Sequence, residues 1–220
     1  KTIVTTEMAR KVAEVNGLQC FDTFTGFKFL AEKKDQLESS GQGNVIFSYE
    51  ESYGYMLGSY VRDKDAVTAA LLLTEMAAWY AAQGKTLADA LEGLYEKYGY
   101  YAEHTYNLVM PGLDGLRDMA ELMKGLRENP PAALSGVKVM QFKDYLDGTV
   151  TDCAAGGKGA MELSGSNVLR FEMDGGTSVI VRPSGTEPKI KVYILARGTD
   201  AADAAANVEK YGRWVDSLKK

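Results

Sequence analysis

Three observations predict an α/β layered sandwich domain with a mixed sheet, followed by a smaller α+β domain with an antiparallel sheet packed against helices. Extended and helical periodicities alternate through the first half of the chain. Asn129-Pro130-Pro131 breaks that rhythm, because proline cannot continue a helix and restricts the residue before it. Beyond the break come short alternating strands and Gly-rich turns. The expected domains are therefore 1–130 and 131–220.

In the first domain, residues 1–6 (KTIVTT) are rich in β-branched side chains and read as a strand. Residues 7–16 place Met8, Val12 and Val15 at helical spacing, with Gly17 as a stop. Residues 18–25 read as extended, 26–39 as a turn and helix, and 44–50 (NVIFSYE) as a short apolar strand. Residues 65–83 form a long Ala/Leu helix that reads as buried, with Gly84 to end it. Residues 86–98 are helical, with Thr86 and Asp89 placed to cap. Residues 100–109 follow as a strand and 113–128 as a helix with Leu116, Met119, Leu122, Met123 and Leu126 on one face.

In the second domain, 137–144 reads as a strand and 146–166 as a flexible excursion rich in Gly, Thr, Asp and Ser. Residues 167–172 and 177–181 are strands joined by the hairpin signal Asp174-Gly175-Gly176. Residues 189–196 alternate Ile190, Val192 and Ile194 against Lys189, Lys191 and Tyr193, the mark of a half-buried strand. Residues 199–219 close as a helix capped by Thr199 or Asp200.

The chain has 220 residues, 45% hydrophobic and 25% charged, which excludes disorder, collagen and a disulfide scaffold. Its net charge of −5 argues against nucleic acid as a partner. The most apolar stretch, 66–82, is too polar to span a bilayer, so no membrane partner is expected. Cys20 and Cys153 lie far apart, show no metal spacing, and suit reduced thiols of a cytoplasmic protein. The chain starts at Lys1 directly in an expected strand, which suggests a piece cut from a longer protein.

Three segments carry chemistry. In VRPSGTEPKIKVY (181–193) two prolines restrict a turn and Gly185 lets backbone approach a ligand. Arg182 presents a planar fork that matches phosphate oxygens, and Ser184 and Thr186 add hydroxyls. Backbone N–H groups around Gly185 can form an anion nest, with Lys189 and Lys191 just beyond. The alternative is a solvated turn with surface lysines. In SYEESYGYMLGSYVRDKD (48–65), Glu50 can accept two sugar hydroxyls and Ser52 can donate or accept, while Arg62 and Lys64 follow as cations. The alternative there is a carboxylate pair at a helix start. TFTGFKF (23–29), with Lys28, is either a ligand loop or a tight turn. His104, alone on an expected strand, reads as structural.

Together these segments resemble the C-terminal half of the α-D-phosphohexomutase family, which includes phosphoglucomutases and phosphomannomutases. RPSGTEP at 182–188 is similar to the phosphate-binding loop of the family's fourth domain. EESYG at 50–54 is similar to the sugar-binding loop of the third, whose common form is Gly-Glu-Xaa-Ser, and Tyr49 stands where the family often has Gly. TGFKF and RDKD sit where that domain has further substrate-facing residues.

The resemblance implies domains three and four of a mutase that interconverts hexose 1-phosphate and hexose 6-phosphate. A phosphoserine and a hexose 1,6-bisphosphate intermediate are implied, with Mg²⁺ as cofactor. The family's serine loop and acidic metal loop do not occur in this chain. The implied partners are therefore a small phosphosugar and the missing N-terminal domains 1 and 2, and no metal ligand is expected here. Glu50 and Ser52 would bind sugar, and Arg182, Ser184, Gly185 and Thr186 phosphate. Lys28, Arg62, Lys64 and Lys189 are candidates for further substrate contacts, with Lys64 the one candidate catalytic group. The alternative function is a stand-alone, non-catalytic phosphosugar-binding module.

Overall fold

The computed structural model describes residues 1–58, 60–185 and 187–219. The chain is mixed α/β and divides into two units, Lys1–Gly99 and Tyr100–Lys220. No helix among the described residues is long and apolar enough to cross a membrane.

The first unit is mainly helical. It contains α1 (Met8–Val15), α2 (Phe27–Ser39), α3 (Ala66–Ala81) and α4 (Leu87–Tyr98), with a hairpin of β1 (Phe47–Tyr49) and β2 (Tyr55–Leu57). The opening residues do not form the expected strand, only an isolated parallel bridge between Thr2 and Thr23. Three hydrogen bonds surround that bridge: the Lys1 amine donates to Phe21 O at 2.9 Å, Thr23 N to Lys1 O at 3.0 Å and Ile3 N to Thr23 O at 2.9 Å. Parallel pairing is thus present, but only as a fragment of ladder. Phe27 and Leu30 of α2 pack on Met56 of β2, with all three buried. Asp65 caps α3 through the amides of Val67 and Thr68. Thr86 and Asp89 form a reciprocal capping box on α4.

The expected burial of the Ala/Leu helix does not hold. No residue of α3 is buried, and Val67 and Trp79 are 79% and 61% exposed. Periodicity identifies such a helix, but burial depends on what lies against it, and this unit supplies little.

The second unit is built on an antiparallel sheet. Its strands are β3 (Tyr100–Val109), β4 (Ala133–Leu134), β5 (Val137–Asp144), β6 (Thr149–Asp152), β7 (Lys158–Ala160), β8 (Leu169–Met173), β9 (Ser178–Pro183) and β10 (Lys189–Gly198). The order is β3-β10-β9-β8-β5-β6-β7, with β4 paired to β5. Two helices belong to it, α5 (Gly115–Glu128) and α6 (Ala201–Ser217). Val192 and Ile194 of β10, Val179 and Val181 of β9 and Phe171 of β8 form one apolar core with Met123 of α5 and Tyr211 and Val215 of α6. Register places those strand residues on one face of the sheet, so both helices cover that face.

The units divide at Gly99/Tyr100, upstream of the expected 130/131 boundary. β3 pairs along its whole length with β10, and Met123 and Leu126 of α5 sit in the second core. A strand belongs with the ladder it completes, so the double proline ends a helix rather than a domain. Residues 146–166, expected as an irregular excursion, contain the β6–β7 hairpin. The Asp174-Gly175-Gly176 turn joins β8 to β9, with both glycines at φ near +85° (88° and 84°).

Candidate functional site

The first candidate turn links β1 to β2. Tyr49 pairs with Tyr55, and Glu50 N donates to Gly54 O at 2.9 Å, which closes a tight loop over Glu50, Glu51, Ser52 and Tyr53. Tyr53 has φ 63°, a left-handed conformation that is uncommon for an aromatic residue and recurs at ligand-holding turns. Ser52 and Tyr53 are exposed. Glu50 turns inward, where its Oε1 accepts from Gly26 N at 2.6 Å. Gly26 caps α2, so the carboxylate sits at the positive end of that helix.

Gly54 brings a cation to this turn. It is buried, and a Cβ there would lie 2.6 Å from Phe27 and 2.8 Å from the Lys64 stem. Only a residue without a side chain lets Lys64 cross the loop. The Lys64 ammonium then stands 4.8 Å from the Phe27 ring and 3.2 Å from Asp63. Arg62 is exposed and pairs with Asp35 at 3.3 Å. Lys28, also exposed, lies 4.7 Å over the Phe29 ring. An open depression is lined by Lys28, Arg62, Glu32 and Asp35. Glu50 and Lys64 are thus drawn to one turn, while Lys28 and Arg62 engage other neighbours.

The second candidate turn links β9 to β10. Ser184 N donates to Lys189 O at 2.8 Å and Met110 N to Pro188 O at 2.8 Å, which anchor both ends. Pro188 also lies against Gly115 at the start of α5, where an added Cβ would be 3.2 Å from the proline ring. Ser184 is half-buried and Gly185 exposed, while Thr186 lies outside the described residues. Arg182 is half-buried at the end of β9. Among the described residues its guanidinium makes one hydrogen bond, to the Tyr193 hydroxyl at 3.4 Å, and pairs with no carboxylate. Lys189 instead pairs with Glu187 at 2.5 Å. Hydrogen bonding from Lys189, its charge and that of Lys191 hold the Glu187 carboxyl below its usual range.

The sequence puts Lys191 just beyond the turn and Tyr193 on the next strand, but not where they stand relative to Arg182. Lys191 is its direct partner across the β9–β10 ladder, and Tyr193, 2% exposed, is the diagonal neighbour. Their signal was the hairpin register: anchoring Ser184 to Lys189 forces Arg182 opposite Lys191. Arg182, Lys189 and Lys191 outweigh the lone carboxylate of Glu187, so the turn carries excess positive charge. His104 is exposed and packs edge-on against Tyr106, with ring centroids 4.4 Å apart. Cys20 and Cys153 are both free thiols. Among the described residues, no three His, Cys, Asp or Glu side chains are placed to hold a metal ion.

Comparison with known proteins gives a consistent pattern. Residues 1–98 match the family model described as phosphoglucomutase/phosphomannomutase, alpha/beta/alpha domain III, and residues 118–210 match that for the C-terminal domain. The phosphoglucomutases of Staphylococcus aureus strains N315 and Mu50 are each 36% identical over 208 residues, which is 94% of this chain and 37% of theirs. The chain therefore spans little more than a third of those relatives. The open form of the Paramecium exocytosis-sensitive phosphoprotein pp63/parafusin, a phosphoglucomutase, superposes with a TM-score of 0.64 at 20% identity, covering 99% of this chain and 38% of that one.

Proposed function

Because the chain belongs to the phosphoglucomutase/phosphomannomutase family, we propose that its two turns are the sugar-holding and phosphate-holding parts of a hexose-phosphate mutase. The overall reaction would interconvert hexose 1-phosphate and hexose 6-phosphate through a phosphoserine and a bisphosphorylated sugar, in the cytoplasm. The serine loop is absent from this sequence. The described residues offer no cluster suited to Mg²⁺, so no step is assigned to a metal here.

The observation that carries this reading is the state of Arg182. A half-buried guanidinium with one long hydrogen bond and no described carboxylate partner has most of its donors left for a ligand. Its fork matches two phosphate oxygens, and Lys191 adds a second cation from the adjoining strand. Ser184 and the amides around Gly185 and Thr186 would complete the shell. Each charge-assisted hydrogen bond is worth about 1.5–3 kcal/mol, so a few suffice to hold a phosphate. In the other turn, Glu50 Oε1 is taken by Gly26, leaving Oε2 and the exposed Ser52 hydroxyl to meet sugar alcohols. Lys64 stands beside that turn as a further substrate contact, with Lys28 and Arg62 as outlying cations and Lys189 as a cation of the phosphate turn. Transfer through a loose transition state depends on positioning and charge, which is what such a binding half supplies.

The test is calorimetric titration of the purified chain with glucose 6-phosphate, inorganic phosphate and glucose. Binding of both phosphates, weakened at least tenfold by Arg182→Ala, is the expected result. Equal affinity of the wild type and Arg182→Ala for phosphate would sink the assignment. The chain alone should show no mutase turnover, and measurable turnover would contradict its role as a binding half.

A further inference from the structure

We propose that Tyr193 is a positioning residue for phosphate binding: its hydroxyl orients the Arg182 guanidinium before the ligand arrives, so that the Nε–Nη2 edge is left to meet two phosphate oxygens. The inference rests on the phosphate-turn reading and deepens it.

Arginine carries its N–H donors on one plane at the end of a long, flexible stem. Presenting one edge of that plane to a ligand requires something that fixes the plane. The β9–β10 ladder supplies both a push and a hold. Lys191 stands directly opposite Arg182, and its charge repels the guanidinium. Tyr193, two residues further along β10, is the diagonal neighbour on the same face of the sheet, within reach of a long side chain. Its hydroxyl accepts from Arg182 Nη1 at 3.4 Å. The guanidinium therefore turns from the cation across the ladder toward an uncharged oxygen on the diagonal.

Tyr193 is suited to be the fixed member of this pair. It is 2% exposed, and register sets the buried Ile180 of β9 on one side of it and Thr105 of β3 on the other. A tyrosine has only two side-chain torsions, and close packing holds such a ring in place. Arg182 is half-buried and has the longer stem, so the rigid partner orients the flexible one. A bond of 3.4 Å is long for this type, so it sets a direction without tying up the donors firmly. With Nη1 turned to Tyr193, Nε and Nη2 make no hydrogen bond among the described residues. Those two groups form the parallel fork that meets a phosphate bidentately. A side chain ordered in advance loses less freedom when the ligand binds.

The experiment is a double-mutant cycle on the 220-residue chain, read by calorimetric titration with inorganic phosphate beside a thermal scan. Tyr193→Phe keeps the buried ring and deletes only the hydroxyl. It should weaken phosphate binding by about threefold to tenfold, the effect of leaving one long side chain to be ordered on binding. Melting should stay close to that of the wild type. In an Arg182→Lys background the same change should leave affinity almost unaltered, because an ammonium has no plane to orient. Unchanged affinity in Tyr193→Phe overturns the proposal. So does an equal loss in both backgrounds, since Tyr193 would then touch the phosphate itself. A crystal structure of the wild-type chain with phosphate tests the same point without a variant. Arg182 Nη1 should remain on the Tyr193 hydroxyl with Nε and Nη2 on the phosphate, and a guanidinium turned away from Tyr193 overturns the proposal. The two readings fail separately: Arg182→Ala of undiminished affinity removes the phosphate turn itself, whereas a weakened Arg182→Ala beside an unchanged Tyr193→Phe removes only the positioning role.

Discussion

Lys191 stands directly across the β9–β10 ladder from Arg182, and both side chains leave the same face of the sheet. Like charges placed directly opposite each other are unfavourable by roughly 0.2–1 kcal/mol. Lys191→Ala should therefore raise the stability of the second unit slightly while weakening phosphate binding. Denaturant unfolding with and without phosphate separates the two effects. Ligand at about a hundred times Kd stabilises by about 2.7 kcal/mol, and that increment should shrink in the variant. A variant that loses stability and keeps the whole increment would show Lys191 to be only a structural cation.

Arg182 itself allows a sharper substitution. Arg182→Lys keeps charge but loses the planar fork, so affinity for phosphate should fall by more than threefold and by less than in Arg182→Ala. Melting should barely move in Arg182→Lys, which keeps the charge opposite Lys191, and should rise slightly in Arg182→Ala, which relieves that repulsion and gives up only a long bond to Tyr193. The check is calorimetry beside a thermal scan on the same samples.

Glu50 combines a structural bond with its proposed ligand role. Glu50→Ala removes the acceptor for Gly26 N at the start of α2 and should destabilise the first unit by about 1–2 kcal/mol. Glu50→Gln keeps an acceptor there and should cost less than half as much. If Glu50 also holds sugar hydroxyls, both variants should weaken glucose 6-phosphate more than inorganic phosphate. Equal weakening of both ligands would leave Glu50 a helix-capping carboxylate alone.

The parts of the fold legible in sequence were those set by local chemistry. Thr86 and Asp89 cap α4 reciprocally, as their spacing implies. Asp174-Gly175-Gly176 turns β8 into β9 because both glycines accept positive φ. Elements defined by distant partners were not legible. β3 has the pattern of any strand, and only its pairing with β10, far along the chain, assigns it to the second unit. β6 and β7, in TVTD and KGA, have too few large apolar side chains to show alternation. At the site, motif chemistry singled out Arg182 and Glu50. It also named Lys191, but the place of Lys191 opposite Arg182 required the register, and the Gly26 bond to Glu50 required knowing that two loops meet.

Gly54 sets how closely Lys64 approaches the Glu50 turn. Gly54→Ala would place a methyl 2.6 Å from Phe27 and 2.8 Å from the Lys64 stem, one a core ring and the other flexible. Lys64 can swing away, but Phe27 is held in the core with Leu30 and Met56. The cost should be about 1–3 kcal/mol, as for other overpacked sites. Two-probe denaturant unfolding should show the loss in the first unit only. Unchanged stability would mean that Phe27 is looser than its burial implies.

Glu172 gives the second unit a pH dependence of defined sign. Burial raises its carboxyl pKa, but the charges of Arg170 and Lys143 and the hydrogen bonds from Lys143 and Ser178 outweigh burial, and the net shift is downward. Lys143 lies 2.8 Å from one oxygen, and the Glu172 side chain is only 21% exposed. The unfolded carboxyl titrates near 4.3, roughly its ordinary value. A group depressed on folding stabilises the native state above that pH, and its contribution fades as pH falls through the folded pKa. Unfolding free energy of the second unit should therefore drop as the solution is acidified below about 4.3. Glu172→Gln should be less stable at neutral pH and should flatten the drop, since it has no proton to take up. Urea titrations at neutral and acidic pH test this. Parallel pH curves for wild type and Glu172→Gln would mean that another carboxylate governs the acid limb.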